Sequence, residues 1–286
     1  MVVGRALGRR VLGSVVAVAA LVGVVALAVG LQRPAPAPVQ TADLTREIEP
    51  LPVDAVVDYQ LGGAYVPADD VTVVVRDHEA PGVPDLYGIC YINAFQTQPG
   101  TMDWWEENHP DLLLRTEEGN LVGDPNWPDE VLLDTRPEHR EEYLALMSDW
   151  FAGCAEAGFK AVEPDNLDSF GRSEELLTLQ DAEDIAAAMV DMAHAEGLAI
   201  AQKNTLEIDG SRLGFDFTIA EECAAYDTCG LFEERYGDEM IQVEYTDNVP
   251  EGFERSCAER GEQISIIQRD RLLLPPWSPD HVARRC

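Results

Sequence analysis

Glu163, Asp165 and Asp168 close the run Phe159-Lys160-Ala161-Val162-Glu163-Pro164-Asp165-Asn166-Leu167-Asp168. Carboxylates gathered at the end of an apolar run can act as general acid, general base or nucleophile. The run follows a helix-like segment and Gly158, as a buried parallel strand does when it delivers side chains to one edge of a sheet. Pro164 fixes its own φ and lacks an N–H, so strand pairing is expected to stop there. Asp and Asn are also ordinary turn residues, and this stretch alone reads equally well as an acidic turn. The same event, however, recurs along the chain.

Strand-like runs are predicted over 53–58, 71–75, 86–92, 131–133, 159–163, 198–201, 215–220, 241–243 and 264–267. Nearly all end in acid, amide or lysine: Asp58-Tyr59-Gln60, Tyr91-Ile92-Asn93, Gln202-Lys203-Asn204, Glu221-Glu222-Cys223 and Glu244-Tyr245 are the clearest. Helices are predicted over 137–157, 180–196 and 250–260, while 101–129 reads as irregular, with Trp104, Trp105 and Trp127 among Pro and Asn. Strands alternating with helices imply parallel β-α units. The expected fold is a single α/β domain over 51–286, a (β/α)8 TIM-type barrel. Nine candidates exceed the eight strands that such a barrel needs, and 131–133 is the weakest. Barrel active sites are assembled at the carboxyl ends of the strands. No Gly-rich phosphate fingerprint follows the first strand, so no nucleotide cofactor is expected.

Alternation then selects among the acids. Phe215, Phe217 and Ile219 share one face of their strand, and Asp216, Thr218 and Ala220 the other. If the large residues face the helices, the small set and Glu222 face the barrel axis, and Glu221 points outward. On the same argument Glu163 and Asp165 line the axis together, and Glu244, in phase with Gln242, lines the mouth.

Composition bounds the rest. Hydrophobic residues make up 46% of 286, enough for a sizeable core. Arg5, Arg9 and Arg10 precede an uncharged run over 11–31, a basic start before an apolar segment that reads as an export signal. It is long enough to remain as a membrane tether instead of being cleaved. Residues 1–33 are therefore read as signal or anchor, and the Pro-Ala repeat within 34–50 as a stiff spacer. The exported part would be secreted or held on the outer face of the membrane. The formal charge is −33, and the chain has two lysines, Lys160 and Lys203. This balance repels nucleic acid and suits a cationic ligand, although a surface made acidic for solubility would look the same.

Six cysteines fit an exported protein with up to three disulfides. Cys223 and Cys229 can close a tight loop; Cys90–Cys154 and Cys257–Cys286 follow by elimination alone. No metal is expected, because the five histidines never fall at ligand spacing, and Asp77-His78-Glu79 cannot aim three adjacent side chains at one ion. Ser169 and Ser211 lack a nucleophile-elbow context.

Inward carboxylates with tryptophans in the loops suit glycoside hydrolysis, which needs one carboxyl as acid and another as nucleophile or base. Trp104, Trp105, Trp127, Trp277 and Tyr59 are candidate sugar platforms. The elements Cys90-Tyr91-Ile92-Asn93-Ala94-Phe95, Glu163-Pro164-Asp165-Asn166-Leu167-Asp168, Lys203-Asn204, Glu221-Glu222-Cys223 and Glu244-Tyr245, in this order, resemble glycoside hydrolase family 114. That resemblance implies a (β/α)8 endo-α-1,4-polygalactosaminidase acting by retention. It implies Asp165 as nucleophile and Glu222 as general acid/base. Asp58, Tyr59, Tyr91, Asn93, Glu163, Asp168, Lys203, Asn204, Glu244 and Tyr245 become substrate contacts or supports. One departure is Tyr59-Gln60-Leu61, without the Trp that the family often carries there. The implied partner is a polysaccharide, a cationic amino-sugar polymer, met by a monomer without cofactor. The rival reading is a barrel that binds cell-surface polysaccharide without cutting it; the presence of both carboxylates favours the enzyme.

Overall fold

A computed structural model describes residues 47–249 and 251–286. Its sheet runs in sequence order through β1 (Val57–Tyr59), β2 (Val73–Asp77), β3 (Tyr87–Asn93), β4 (Ala161–Asp165), β5 (Ala199–Lys203), β6 (Phe217–Glu221), β7 (Met240–Tyr245) and β8 (Ser265–Arg269). All neighbours among these eight are parallel. A final β9 (Ala283–Arg285) runs antiparallel to β8; its Ala-Arg-Arg is exposed throughout, which left no apolar alternation to predict it by. The sheet curls into a nearly closed TIM-type barrel, and at the seam the Arg269 guanidinium of β8 donates to the Tyr59 carbonyl of β1. The signal or anchor assigned to 1–33, and the spacer up to 46, lie outside the described residues. Among the described residues no helix is long and apolar enough to cross a membrane.

The helices are α1 (Met102–Asn108), α2 (Arg140–Glu156), α3 (Leu179–Ala195), α4 (Gly210–Leu213), α5 (Cys229–Tyr236) and α6 (Gly252–Arg260). A capping box between Thr178 and Asp181 starts α3, and Gly197, at a φ of 72°, lets the chain turn out of it. The segment 131–133 forms only isolated bridges, Val131 to Gly123, Leu132 to Gln96 and Leu133 to Leu113, and stays outside the barrel. The stretch expected to be irregular contains α1. Disulfides join Cys90 to Cys154, Cys223 to Cys229 and Cys257 to Cys286.

The barrel interior corrects the alternation argument. Val73, Val75, Ile89, Phe217, Ile219, Ile241 and Val243 pack together inside, whereas Cys90, Ile92, Val162 and Ile200 pack outward against the helices. The interior of such a barrel is a filled core that takes bulky branched side chains, each stabilising the fold by about 1.5–3 kcal/mol on burial. The large set of β6 therefore faces the axis, and Glu221 is in phase with it. Thr218 and Ala220 face the helix layer. Pro164 stops pairing on one side only: the ladder to β5 ends at Val162, while that to β3 continues to Asp165.

Candidate active site

Inward side chains of β1, β3, β4, β6 and β7 gather around Lys203, the last residue of β5 and only 2% exposed. Its Nζ lies 3.0 Å from Glu163 Oε1, 3.3 Å from Asp165 Oδ2 and 3.3 Å from Glu221 Oε2. An ammonium this deep is costly unless paired. Burial acts to lower its pKa, but Asp165, Glu221, Tyr59 and Glu163 outweigh it and raise the value well above the ordinary one. Tyrosines hold the acids: Tyr91 donates to Asp165 at 3.0 Å, Tyr245 to Glu221 at 2.5 Å, and Tyr59 to Glu163. All three phenols are pushed up, first by burial and then by the acids beside them, so they remain protonated donors. Two more anchors are the backbone N–H of Asn166, donating to Asp165 Oδ1 at 2.8 Å, and the side-chain amide of Asn204, donating to Glu221 Oε2 at 3.1 Å.

Above this cluster opens a cavity of about 300 Å³, with Asp165, Asp168, Lys203, Asn204, Glu221 and Tyr245 among its walls. Glu163 lies beneath it, fully buried, and burial lifts its carboxyl to about 7. Its Oε2 has no hydrogen-bond partner. Glu163 therefore stands behind the cavity wall, beneath Lys203. Tyr59 is equally buried, which removes it as a sugar platform.

Of the residues chosen from sequence, Tyr91, Asp165, Asp168, Lys203, Asn204 and Tyr245 line the cavity together. Three do not. Glu222 leaves the strand in a left-handed turn, φ 55°, and accepts both arms of Arg271 at 2.7 Å together with Asn248. Glu244 faces outward beneath α6, where it accepts the Ala224 N–H and the Gln242 amide; burial raises its pKa. Asp58 accepts from Gln60 and Tyr65 on the outer side of β1. Asn93 is an internal brace, donating to Glu130 and accepting from Asn166.

The sequence argument missed Glu221, Glu130, Arg172 and Arg271, which also line the cavity. Arg172 pairs with Asp124 at 2.5 Å and with Asp168 at 2.6 Å. Arg271 stacks 4.3 Å from the centre of the Tyr245 ring. Every cation at the cavity is thus already paired with acid. Trp127 lines the cavity and is exposed, while Trp277 stands out beside Tyr65.

A TIM-type barrel whose strand ends bring a half-buried pair of acids, Asp165 and Glu221, to one cavity has the construction of a retaining or inverting glycosidase. The profile of glycoside-hydrolase family GH114 matches residues 37–286; the chain belongs to that family and is a glycoside hydrolase. No curated protein sequence matches it. Among solved structures it is similar to Ega3 of Aspergillus fumigatus in complex with galactosamine, with a TM-score of 0.63 and 17% identity over 80% of this chain and 92% of that one. It is also similar to the glycoside hydrolase domain of PelA from Pseudomonas aeruginosa, with a TM-score of 0.51 and 14% identity over 79% and 97%.

Proposed function

We propose that this protein is a retaining endo-glycosidase that cuts α-1,4-linked galactosamine-containing polysaccharide, with Asp165 as nucleophile and Glu221, in place of Glu222, as general acid/base. One observation carries this reading: Asp165 and Glu221 each stand 3.3 Å from the same ammonium. Their nearest oxygens are therefore no farther apart than twice that distance, which accommodates the about 5–5.5 Å of retaining pairs. Asp165 attacks the anomeric carbon while Glu221 gives its proton to the leaving oxygen. Glu221 then takes a proton from the water that releases the glycosyl-enzyme. Galactosamine is supported by the ligand of the Ega3 complex and by a cavity in which five carboxylates, Asp124, Glu130, Asp165, Asp168 and Glu221, outnumber the three cations Lys203, Arg172 and Arg271. The charge of −33 favours approach of a cationic chain.

Three disulfides suit an oxidising compartment, and we place the catalytic domain outside the cell, exported through residues 1–33 and carried on the spacer over 34–50. The experiment is proton NMR of the first products from an α-1,4-galactosamine oligomer. An initial α-anomer is expected. An initial β-anomer would require inversion and remove the nucleophile role from Asp165.

A further inference from the structure

The first two crossovers of the barrel contain no helix: β1 passes to β2, and β2 to β3, before α1 begins. Beside the second gap lies another pocket, of about 350 Å³, whose walls include His78, Glu79, Gln98, Trp104, Trp105 and Trp150. Trp105 is 3% exposed and packs into the core that covers β3. Trp104 has no such duty; it packs edge-on against Trp105 and keeps 41% of its surface in solvent. His78 stacks on Trp150 with centroids 4.8 Å apart.

Polar groups around these rings are uneven. The Asp77 carboxylate is taken by Gln98 at 2.6 Å. Among the described residues, the Glu79 side chain makes no hydrogen bond or ion pair, and no Lys or Arg lines the pocket. Asn93 and Gln96 form its inner wall, and both donate to Glu130, which lines the catalytic cavity. The two pockets thus back onto one layer of side chains.

Aromatic surface offers a face to the C–H groups of a pyranose ring, and a free carboxylate without a cation near it selects an ammonium over an anion. We propose that this pocket is an accessory sugar site. It holds an amino-sugar residue of the polymer, stacked at Trp104 with its ammonium toward Glu79, while another part of the polymer occupies the catalytic cavity. The inference rests on the galactosamine reading above. Its effect is on long chains: the second grip raises the local concentration of scissile bonds without changing the chemistry at Asp165 and Glu221.

The test compares Trp104→Ala with the unsubstituted enzyme on galactosamine polymer and on a short oligomer too small to reach both pockets. KM for polymer should rise about tenfold, the loss of about 1.4 kcal/mol of binding, with kcat/KM for the short oligomer unchanged and Trp104→Phe restoring much of the difference. In an Asp165→Asn background, titration with a long oligomer should show two classes of site, one of them lost with Trp104. Glu79→Gln, at an exposed side chain with no partner among the described residues, provides a second variant if Trp104→Ala melts early, and should also raise polymer KM several-fold at low salt. Equal polymer KM in folded Trp104→Ala or Glu79→Gln overturns the accessory site while leaving the catalytic reading intact. Failure of the unsubstituted enzyme to bind or cut any galactosamine oligomer overturns both.

Discussion

Arg271 holds Glu222 with two hydrogen bonds of 2.7 Å, one to each carboxylate oxygen. The fork is charge-assisted and bidentate, and the Glu222 bond is the leading cause that raises the Arg271 pKa. The same guanidinium lies over Tyr245, whose hydroxyl holds Glu221. Glu222 is therefore linked to Glu221 only through an arginine and a tyrosine.

The two glutamates should separate cleanly by mutation. Glu221→Gln removes the proton that the leaving group needs and should lower kcat by about 10²–10⁴-fold. Glu222→Gln loosens Arg271 and should keep kcat within about tenfold, with most of its effect on KM. Steady-state kinetics on a galactosamine oligomer decides it; the opposite ranking would return the acid/base role to Glu222.

That pair also shows how much was legible beforehand. The eight strands, the order of their acidic ends and the cluster Asp165, Lys203, Asn204 and Tyr245 follow from apolar runs ending in polar residues, because a barrel collects its strand ends in one place. The choice between Glu221 and Glu222 turned on which face of β6 is inside. Residue size alone assigns Phe217 and Ile219 to the helix layer, whereas a filled barrel draws such residues to its axis. The strand Ala199-Ala201-Lys203 has small inward residues and so gave no warning of the rule. Glu244 failed for the same reason. Arg271 carried no local signal, since its placement depends on the turn after β8 and on a partner far away in sequence.

The disulfides should differ in weight. Cys90–Cys154 spans 64 residues and ties β3 to α2, whereas Cys223–Cys229 spans 6. Loop-closure entropy gives about 4 kcal/mol for the first and about 2 kcal/mol for the second. Denaturant unfolding of the two double alanine variants should place Cys90→Ala/Cys154→Ala at the lower midpoint. Equal midpoints would mean that the unfolded chain is already restrained near residues 90–154.

Glu163 should give stability a specific pH dependence. Its folded pKa, raised to about 7 by burial, exceeds that of an exposed glutamate, near 4.3. The folded state thus binds its proton more tightly than the unfolded state. The stability this contributes is complete below the unfolded pKa and is lost as pH rises through about 7, on the order of 3 kcal/mol in all. Glu163→Gln has no such loss. The difference in stability between variant and parent should therefore move in favour of the variant from pH 5 to pH 8, as read by denaturant unfolding at each pH. A difference that stays constant would mean that Glu163 is ionised throughout, held by Lys203.

Lys203 is the counter-charge for all three acids, and its removal should be felt in fold and function together. In Lys203→Met the apolar chain fills the space, but Asp165 and Glu221 lose their common partner and Glu163, whose Oε2 is already unpartnered, loses another. Breaking one side of a buried ionic cluster costs about 3–5 kcal/mol. The cost should shrink at pH 5, where Glu163 takes up its proton, and be largest at pH 8. Lys203→Arg should not restore the parent: at 2% exposure there is little room for a planar fork in place of a compact ammonium. Melting temperatures at the two pH values, with turnover on the same samples, test both statements. Full stability with lost turnover would make Lys203 a ligand contact alone, and rescue by arginine would mean that charge, not shape, is what the three acids need.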